Sequence, residues 1–412
     1  MATVLVYICA YNAENTLRRT IDSVFAQTYH SWVCYIVNNG STDGTGAIIR
    51  EYADLDSRVI PLANKQNQVW ERGNRSMELI RQYNDDDYFC ILDADDEYKP
   101  DFLENSIAFM KEHNLNIAMC GSDFIDTRTN TVYGGRLLKQ NMIIEGQLFS
   151  DMLPYYYQFM RTTWGKLYSI SVFRKYDYSR VPSVNYGWDT LYAQENFRNA
   201  NRIGILEGTL HNYYISPKST SYIWDEKRVE SDNILFDMTK KFLISKCGRL
   251  TARNEEFLLL VYMNALRDTL QVLLNSGISE KEKLDSLRGM FLHKNAISLA
   301  ALERFGAAFG NEVEWTDLRR ELFAAGALWL LNHEEVPDEQ VESFCELGEF
   351  LCSACENAEG WLFFKKLLFE YLLDNGRVDE ASPKFDELRE LLPNDAEMET
   401  LCKKWNRVHN SR

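Results

Sequence analysis

Four acidic residues, Asp93, Asp95, Asp96 and Glu97, follow the apolar run at residues 89–92. Carboxylates this close together repel one another, and folding alone gives no reason to gather them at the end of a strand. A divalent cation would relieve the repulsion, because Mg²⁺ and Mn²⁺ prefer oxygen ligands and usually bind substrate phosphates as well. A solvated acidic turn is the other explanation for such a run. The cluster therefore suggests a Mn²⁺ or Mg²⁺ site that also serves a phosphate-bearing substrate.

The first half of the chain alternates strands with helices. Apolar, β-branched runs predict strands at residues 4–10, 32–37, 59–62 and 88–92, and helical periodicity predicts helices at 13–27, at 74–83, from Thr45 and from Pro100. This alternation predicts a largely parallel sheet with helices on both faces. Ligands of such sheets bind at the carboxyl ends of the strands, where Tyr11, Asn39 and Asp93 fall. The pattern thus predicts one cleft that contains all three.

From about residue 230 the strand signals fade and helical patterns dominate. Amphipathic segments predict helices at residues 254–274, 315–331, 339–355 and 361–373, and residues 374–395 resemble a tetratricopeptide-type helical hairpin. No clear period repeats upstream of that hairpin, so we expect an irregular helical module. A chain of 412 residues also exceeds what a single core usually holds. We therefore expect an α/β domain at 1–228 and an all-α domain at 229–412.

Composition narrows the classes of partner. The formal net charge of −16 argues against nucleic-acid binding through bulk electrostatics. No stretch reaches the roughly 18 apolar residues of a membrane span, and the N-terminus shows no secretory signal. Nine cysteines, scattered through predicted strands and helices, fit reduced thiols. We therefore expect a cytoplasmic protein without a transmembrane segment, compatible with peripheral attachment to the inner face of a membrane.

Six motifs occur in order along the first half. They are Tyr-Asn-Ala-Glu at 11–14, Ile-Asp-Ser-Val-Phe-Ala-Gln-Thr-Tyr at 21–29, Val-Asn-Asn-Gly-Ser-Thr-Asp-Gly-Thr at 37–45, the acidic cluster, Trp-Gly-Lys-Leu-Tyr at 164–168 and Tyr-Gly-Trp-Asp-Thr at 186–190. Their order and spacing resemble the family 2 glycosyltransferases over roughly residues 1–225. The resemblance implies the GT-A fold, a Rossmann-like α/β domain that binds nucleotide sugars. The helical half lies outside the resemblance.

The resemblance implies roles at the donor end of the cleft. Asp95 would hold the cation that bridges the donor diphosphate, and Asp93 would reach the ribose. The other donor-binding residues that it implies are Tyr11, Asn12, Glu14 and Asn39. The family usually has an Asp in the second-strand loop, where this chain has Asn38 and Asn39. An Asn both donates and accepts whereas a carboxylate only accepts, so uracil, although the first choice of base, is less firmly specified.

His211 follows the Tyr-Gly-Trp-Asp-Thr motif by about twenty residues and lies beside Tyr213 and Tyr214. Many GT-A enzymes place a metal-binding His at this point, so the resemblance makes His211 a second metal ligand. A lone His near a strand is also often structural. The sequence leaves both roles open.

Asp189 is the candidate general base. Family 2 enzymes invert the anomeric centre by direct displacement, which needs a carboxylate to accept the proton of the attacking hydroxyl. Inversion needs no covalent nucleophile, and the sequence shows no motif for a nucleophilic Ser or Cys. An Asp before Thr190 could instead cap a helix, and both roles could hold together.

Three functions follow as alternatives. The first is an inverting, metal-dependent glycosyltransferase of the hexosyltransferase type. It would move a sugar, from a UDP-sugar first of all, to a glycan, lipid-linked or protein acceptor, as in polysaccharide biosynthesis. The second is a catalytically degenerate GT-A protein that serves as a binding or scaffold module. The third is a nucleotidyltransferase, which normally has a basic, Gly-rich phosphate loop near the N-terminus that this chain lacks. The helical domain would dock the acceptor or a protein partner, or form a homo-oligomer.

Overall fold

A computed structural model describes residues 2–68, 71–184, 186–215, 223–333, 336, 338–393 and 396–409. The chain divides into two compact units, residues 1–223 with 234–255 and residues 224–233 with 256–412. The boundary predicted between residues 228 and 229 falls at the first turn of the helix Arg228–Cys247, which contributes to both units. The division into one domain at 1–228 and another at 229–412 stays a prediction.

The first unit contains a single mixed sheet. Its strands are β1 Val4–Ala10, β2 Trp32–Asn39, β3 Val59–Asn64, β4 Tyr88–Ile91, β5 Glu97–Tyr98, β6 Ile117–Asp126, β7 Thr131–Arg136, β8 Met142–Glu145, β9 Lys166–Ser169 and β10 Arg202–Ile215. They lie in the order β3-β2-β1-β4-β9-β6-β10-β5, with β7 on β6 and β8 on β10. The four strands from β3 to β4 are parallel, as the sequence predicts. The other half is mixed, because β9 runs antiparallel to both β4 and β6.

Helices cover the sheet on both faces. In the first unit they are α1 Leu17–Phe25, α2 Thr45–Leu55, α3 Glu71–Ile80, α4 Phe102–His113, α5 Leu148–Asp151, α6 Leu153–Met160, α7 Ile170–Phe173, α8 Trp188–Asn199 and α9 Arg228–Cys247. Strand β1 is buried along its whole length because both of its faces are covered, which accounts for its unbroken apolar sequence. Alternate residues such as Val6 and Ile8 belong to the core cluster that includes Ile21 of α1. On the other face Tyr7 packs against Phe89, and Phe89 packs against Phe173 of α7.

The second unit is built from helices in the residues that the structure describes, which confirms the predicted all-α region. They are α10 Ala252–Leu274, α11 Glu280–Phe291, α12 Lys294–Ala300, α13 Glu312–Leu331, α14 Val341–Ala354, α15 Ala358–Asp374, α16 Val378–Leu391 and α17 Ala396–His409, with α10 beginning in the first unit. The last three pack through stacked rings. Phe385 lies 4.8 Å from Trp405 and 5.6 Å from Phe369, measured between ring centroids. The hairpin predicted at residues 374–395 corresponds to the last residue of α15 and to α16, and its residues 394 and 395 lie outside the described part of the chain.

Helix α10 is long and apolar enough, by length and composition alone, to cross a membrane. It is the one described helix that meets this criterion, and 44% of its qualifying window is buried inside the protein. One such helix is weak evidence for a membrane span, because core helices of soluble proteins meet the same criterion. The expectation of a chain without a transmembrane segment therefore stays a prediction.

Replacement of Gly121 in β6 by Ala should destabilise the first unit. A Cβ at this position would lie 2.3 Å from the Gly208 carbonyl oxygen and 2.5 Å from that of Arg136, and neither backbone can retreat without breaking the sheet. We expect Gly121→Ala to lower the free energy of unfolding by about 1–3 kcal/mol in urea denaturation.

Gly134→Ala in the adjacent β7 is the matched control for Gly121→Ala. The nearest atom to its added Cβ is a side-chain carbon of Phe124 at 3.9 Å, so we expect a change within about 0.5 kcal/mol. Equal effects of the two substitutions would contradict the proposed backbone clash.

Candidate active site

The acidic turn after β4 places its carboxyl groups in different environments. Asp93 is half-buried, Asp95 is exposed and Asp96 is fully buried. The turn is closed by a hydrogen bond from the Asp96 amide to the Asp93 carbonyl at 3.1 Å. Among the described residues, no group of three or more His, Cys, Asp or Glu side chains could hold a metal ion by itself. A cation here would therefore need ligands from a substrate or from water in addition to Asp95.

Asp96 faces inward, towards His211. Its Oδ1 accepts the amide hydrogen of Tyr214 at 2.9 Å, and its Oδ2 lies 3.5 Å from His211 Nε2. Both of these facing atoms are buried and have no hydrogen-bond partner among the described residues. Burial and the negative charge of Asp93 raise the pKa of Asp96, while burial lowers the pKa of His211 to about 3. The imidazole is therefore neutral at physiological pH.

The His211 ring lies within a buried aromatic stack. It is inaccessible to solvent and stacks on Trp164 at 4.6 Å between centroids, and Trp164 stacks in turn on Tyr213 at 5.0 Å. The other ring nitrogen, Nδ1, lies 3.1 Å from Ser122 Oγ. Both nitrogens of the predicted second metal ligand thus lie against groups of the protein.

The loop that carries Trp164 is fixed by Lys166, which is fully buried. Its Nζ donates to the carbonyl and hydroxyl oxygens of Thr162 at 2.5 and 3.0 Å, and to the Trp164 carbonyl at 3.3 Å. Burial lowers the pKa of Lys166, and the charge of Asp189 opposes that shift. The Lys of the Lys-Leu-Tyr motif therefore holds the backbone of the aromatic stack.

Asn12 and Glu14 join the loop after β1 to the loop after β2. The Asn12 amide donates to Ser41 Oγ at 3.0 Å, and Asn12 Oδ1 accepts from the Thr42 amide at 2.9 Å. Glu14 Oε2 accepts from the Gly44 amide at 2.7 Å. Asn12 has a φ of 48°, in the left-handed region that Asn tolerates better than most residues. Both predicted donor-binding residues therefore support the shape of this corner of the sheet.

Asn39 is buried and its amide group is saturated by the protein. Its Nδ2 donates to Asn67 Oδ1 at 2.9 Å and to the Gln68 carbonyl at 3.3 Å. Its Oδ1 accepts from Asn64 Nδ2 at 2.9 Å and from the Gln68 amide at 3.2 Å. The next residue, Gly40, has a φ of 77°, and a Cβ there would lie 2.5 Å from the Gln66 carbonyl carbon. Asn39 and Gly40 together hold the segment 64–68 against the end of β2.

Tyr11 and Asp189 occupy more open positions. Tyr11 follows β1 directly and its side chain is 48% exposed. Asp189 is the second residue of α8, where the helix dipole favours a negative charge. The N-cap residue of α8 is Gly187, with a φ of 76°. Asp189 lies two residues after it, inside the first turn of the helix, and is therefore not the N-cap. Its charge acts on Tyr168, whose pKa is raised by burial and by Asp189.

Two residues of α1 and its approach contact the acidic turn, although the sequence motifs did not point to them. Thr16 Oγ1 donates to the Ala94 carbonyl at 2.8 Å, and Arg19 Nη2 donates to the Asp95 carbonyl at 2.6 Å. Thr16 and Arg19 are three residues apart and so lie on one side of a helical turn. Their three-residue spacing, directly after the Tyr-Asn-Ala-Glu motif, is the sequence signal that could have indicated these contacts.

Residues 5–176 match the family model described as glycosyl transferase family 2. The chain is 25% identical over 235 residues to the glycosyltransferase GlyA of Streptococcus pneumoniae serotype 4, covering 54% of this chain and 32% of GlyA. It is 26% identical over 257 residues to an uncharacterized glycosyltransferase of Haemophilus influenzae, covering 58% and 75%. It is 32% identical over 128 residues to the putative glycosyltransferase EpsE of Bacillus subtilis, covering 31% and 45%. The matches thus span less than half of GlyA and of EpsE.

Solved structures show weaker likeness. S. aureus TarS 1–349 in complex with UDP aligns with a TM-score of 0.43 and 14% identity, covering 88% of this chain and 89% of that one. The mannosyltransferase PcManGT from Pyrobaculum calidifontis, in complex with GDP-Man and Mn²⁺, aligns with a TM-score of 0.41 and 16% identity, covering 80% and 88%. At these scores and identities, the ligands of those proteins do not indicate the ligands of this chain.

The family match covers β1 to β9 in sequence, and the parallel strands of that region bring Tyr11, the loop at 38–45 and the acidic turn to one edge of the sheet. Residues 5–176, within the first unit, therefore match the glycosyltransferases of family 2, and this α/β unit is followed by an α-helical unit.

Proposed function

We propose that this chain transfers a sugar from a nucleoside-diphosphate donor to an acceptor hydroxyl, with a divalent cation and with inversion at the anomeric carbon. The observation that carries the proposal is the exposed Asp95 carboxylate at the carboxyl end of β4, next to the loop after the neighbouring parallel strand β1. In open sheets of this kind, ligands bind at that edge.

The residues of the turn fit a divalent cation. Asp95 is exposed and can supply an oxygen ligand, and the buried atoms Asp96 Oδ2 and His211 Nε2, which lie 3.5 Å apart, have no hydrogen-bond partner among the described residues. Oxygen ligands with an imidazole suit Mn²⁺, and oxygen ligands alone suit Mg²⁺. When bound, the cation would neutralise the diphosphate that leaves with the nucleoside. Asp95 is the proposed ligand. His211 as a second ligand stays a prediction, since its nitrogens lie against Ser122 and Asp96.

The nucleoside would bind beside Tyr11, whose exposed ring offers a flat apolar surface to a base. Asp93, half-buried before Asp95, would accept from the ribose hydroxyls. Asn12, Glu14 and Asn39 would act on the donor through the loops that their hydrogen bonds hold. UDP is the nucleotide that we propose.

Asp189 would act as the general base. Its carboxylate takes the proton of the acceptor hydroxyl while the acceptor oxygen bonds to the anomeric carbon. The bond from that carbon to the diphosphate oxygen breaks on the opposite face, and its electron pair leaves with the nucleoside diphosphate. The position near the N-terminus of α8 favours the ionised carboxylate that this step needs.

The acceptor would be a glycan, a lipid-linked glycan or a protein, and the helical unit would dock it, dock a protein partner or form a homo-oligomer. A cytoplasmic location, with the chain peripheral to the membrane, belongs to the same proposal. The competing function is a degenerate GT-A domain that binds a donor without turnover.

Asp95→Asn should abolish the part of nucleotide binding that depends on the cation. A neutral amide binds Mn²⁺ far more weakly than a carboxylate, so we expect UDP affinity to become independent of Mn²⁺. Isothermal titration of UDP, GDP and dTDP with and without Mn²⁺ measures this and identifies the base.

Asp86→Asn is the matched control for this titration. Asp86 is exposed and precedes β4, so it loses the same charge at the opposite end of the same strand. Loss of Mn²⁺ dependence in both variants, or in neither, would contradict a role of Asp95 in cation binding.

Asp189→Asn should lower kcat by about 10²–10⁴, because an amide cannot accept the proton of the acceptor. UDP and Mn²⁺ affinities should stay at the wild-type level. Steady-state release of UDP from a UDP-sugar, together with the titration above, separates the two effects. Unchanged turnover would exclude Asp189 as the base, and an absence of turnover in the wild type with every acceptor class would favour the degenerate domain.

Asn39→Asp should weaken UDP binding and lower stability. A carboxylate has no hydrogens to donate to Asn67 and Gln68, so two part-buried hydrogen bonds would be lost, at a cost of about 0.5–1.5 kcal/mol each. Asn38→Asp is the control, because its Oδ would still accept from the Ser41 amide as Asn38 does at 3.0 Å. Tighter UDP binding in Asn39→Asp, with stability unchanged, would instead show that residue 39 contacts the base directly.

A further inference from the structure

Arg19, on the first turn of α1, makes three contacts: two with the acidic turn and one with Tyr214 of β10. Its Nη2 donates to the Asp95 carbonyl at 2.6 Å, and its Nε lies 4.0 Å from Glu97 Oε1. Its guanidinium carbon lies 3.5 Å from the ring centroid of Tyr214. Arg19 therefore touches the backbone of the proposed cation ligand and an acid two residues further on.

Strand β10 contacts the same turn from another side. The Tyr214 hydroxyl donates to Glu97 Oε2, the Asn212 Nδ2 donates to the same oxygen at 3.3 Å, and the Tyr214 amide donates to Asp96. Tyr214 is thus held on one face by the Arg19 guanidinium and at its hydroxyl by Glu97. The turn is fixed from α1 on one side and from β10 on the other.

The shape of the guanidinium matters for these contacts. A planar fork can donate to a carbonyl while it stacks on an aromatic ring, which an ammonium cannot do with the same geometry. Its positive charge also lies beside a turn that carries four carboxyl groups, Asp93, Asp95, Asp96 and Glu97. Arg19 is therefore suited both to hold the turn in one conformation and to offset its charge.

We propose that Arg19 is a positioning residue for the donor site, which fixes the backbone of Asp95 so that its carboxylate is presented to the cation. The inference rests on the proposed function, because it gives Arg19 its role through Asp95. It makes cation affinity depend on a side chain that does not touch the cation.

Charge and positioning make opposite predictions for Arg19→Met. Removal of a positive charge beside the turn would, by electrostatics alone, tighten the binding of a divalent cation. Loss of the hydrogen bond to the Asp95 carbonyl and of the stack on Tyr214 would weaken it. We expect positioning to dominate, because hydrogen bonds from charged groups contribute enough to change affinity by about tenfold or more.

The experiment is isothermal titration of UDP into the full chain at a series of Mn²⁺ concentrations and without metal. Arg19→Met should need at least about tenfold more Mn²⁺ for the same UDP affinity, with metal-free UDP affinity unchanged. Arg19→Lys should show a smaller shift of the same sign, since it keeps the charge and loses the planar fork. If Arg19→Met fails to fold, as judged by circular dichroism, the Lys variant still tests the inference.

Arg18→Met is the matched control. Arg18 is the neighbouring residue on α1, loses the same charge, and pairs with Glu51 at 2.6 Å away from the acidic turn. It should leave the Mn²⁺ requirement unchanged.

An unchanged or lowered Mn²⁺ requirement in Arg19→Met would overturn the inference and leave the proposed function intact. So would an equal weakening of UDP binding with and without the metal, which would indicate general damage to the pocket. The absence of any metal-dependent UDP binding in the wild type would overturn the proposed function itself, and with it the role of Arg19.

Discussion

The mutual repulsion of the carboxyl groups after β4 is the constraint on which the rest of the first unit depends. The fold separates them: Asp95 is left at the surface, Asp96 is buried against His211, and Glu97 is held by Tyr214 and Asn212. Burial and the negative charge of Asp93 raise the pKa of Asp96. α1 and β10 supply the remaining contacts. Several elements distant in sequence are thus required before one carboxylate can be presented at the edge of the sheet.

In the neighbouring loops, too, some polar side chains are held by contacts within the protein while others are exposed. Two polar residues that the motifs assign to the substrate instead form hydrogen bonds within the protein. Glu14 bonds to Gly44, and Asn39 bonds to Asn64, Asn67 and Gln68. Tyr11 and Asp95 are exposed, and so are Asn12 and Glu14, whose side chains nevertheless bond to the loop after β2. The loops at this edge of the sheet are held in place by the protein itself, which would lower the entropy cost of binding a ligand there. The replacement of the usual Asp by Asn39 has a physical reason here, since its neighbours need both a donor and an acceptor.

Much of the fold could be predicted from the sequence, and the exceptions have identifiable causes. Unbroken apolar runs such as β1 gave the parallel strands, and a family resemblance gave the domain. Helix α1 begins at Leu17 rather than at residue 13, because residues 12–14 are hydrogen-bonded to the second loop. The antiparallel β9 is four residues long, and its partners are set by tertiary packing that no local pattern records. Burial of His211 and the reach of Arg19 to the Asp95 backbone are likewise decided by which elements meet in space.

The central claim is that the edge of the sheet beyond β4 binds a nucleoside diphosphate through a cation on Asp95. A crystal structure of the full chain with UDP and Mn²⁺, with the metal located by its anomalous scattering, tests that claim most directly. The account predicts one Mn²⁺ bonded to the Asp95 carboxylate and to diphosphate oxygens, with the base beside Tyr11. Nucleotide bound without an ion at Asp95, or an ion and nucleotide bound elsewhere on the chain, would contradict it.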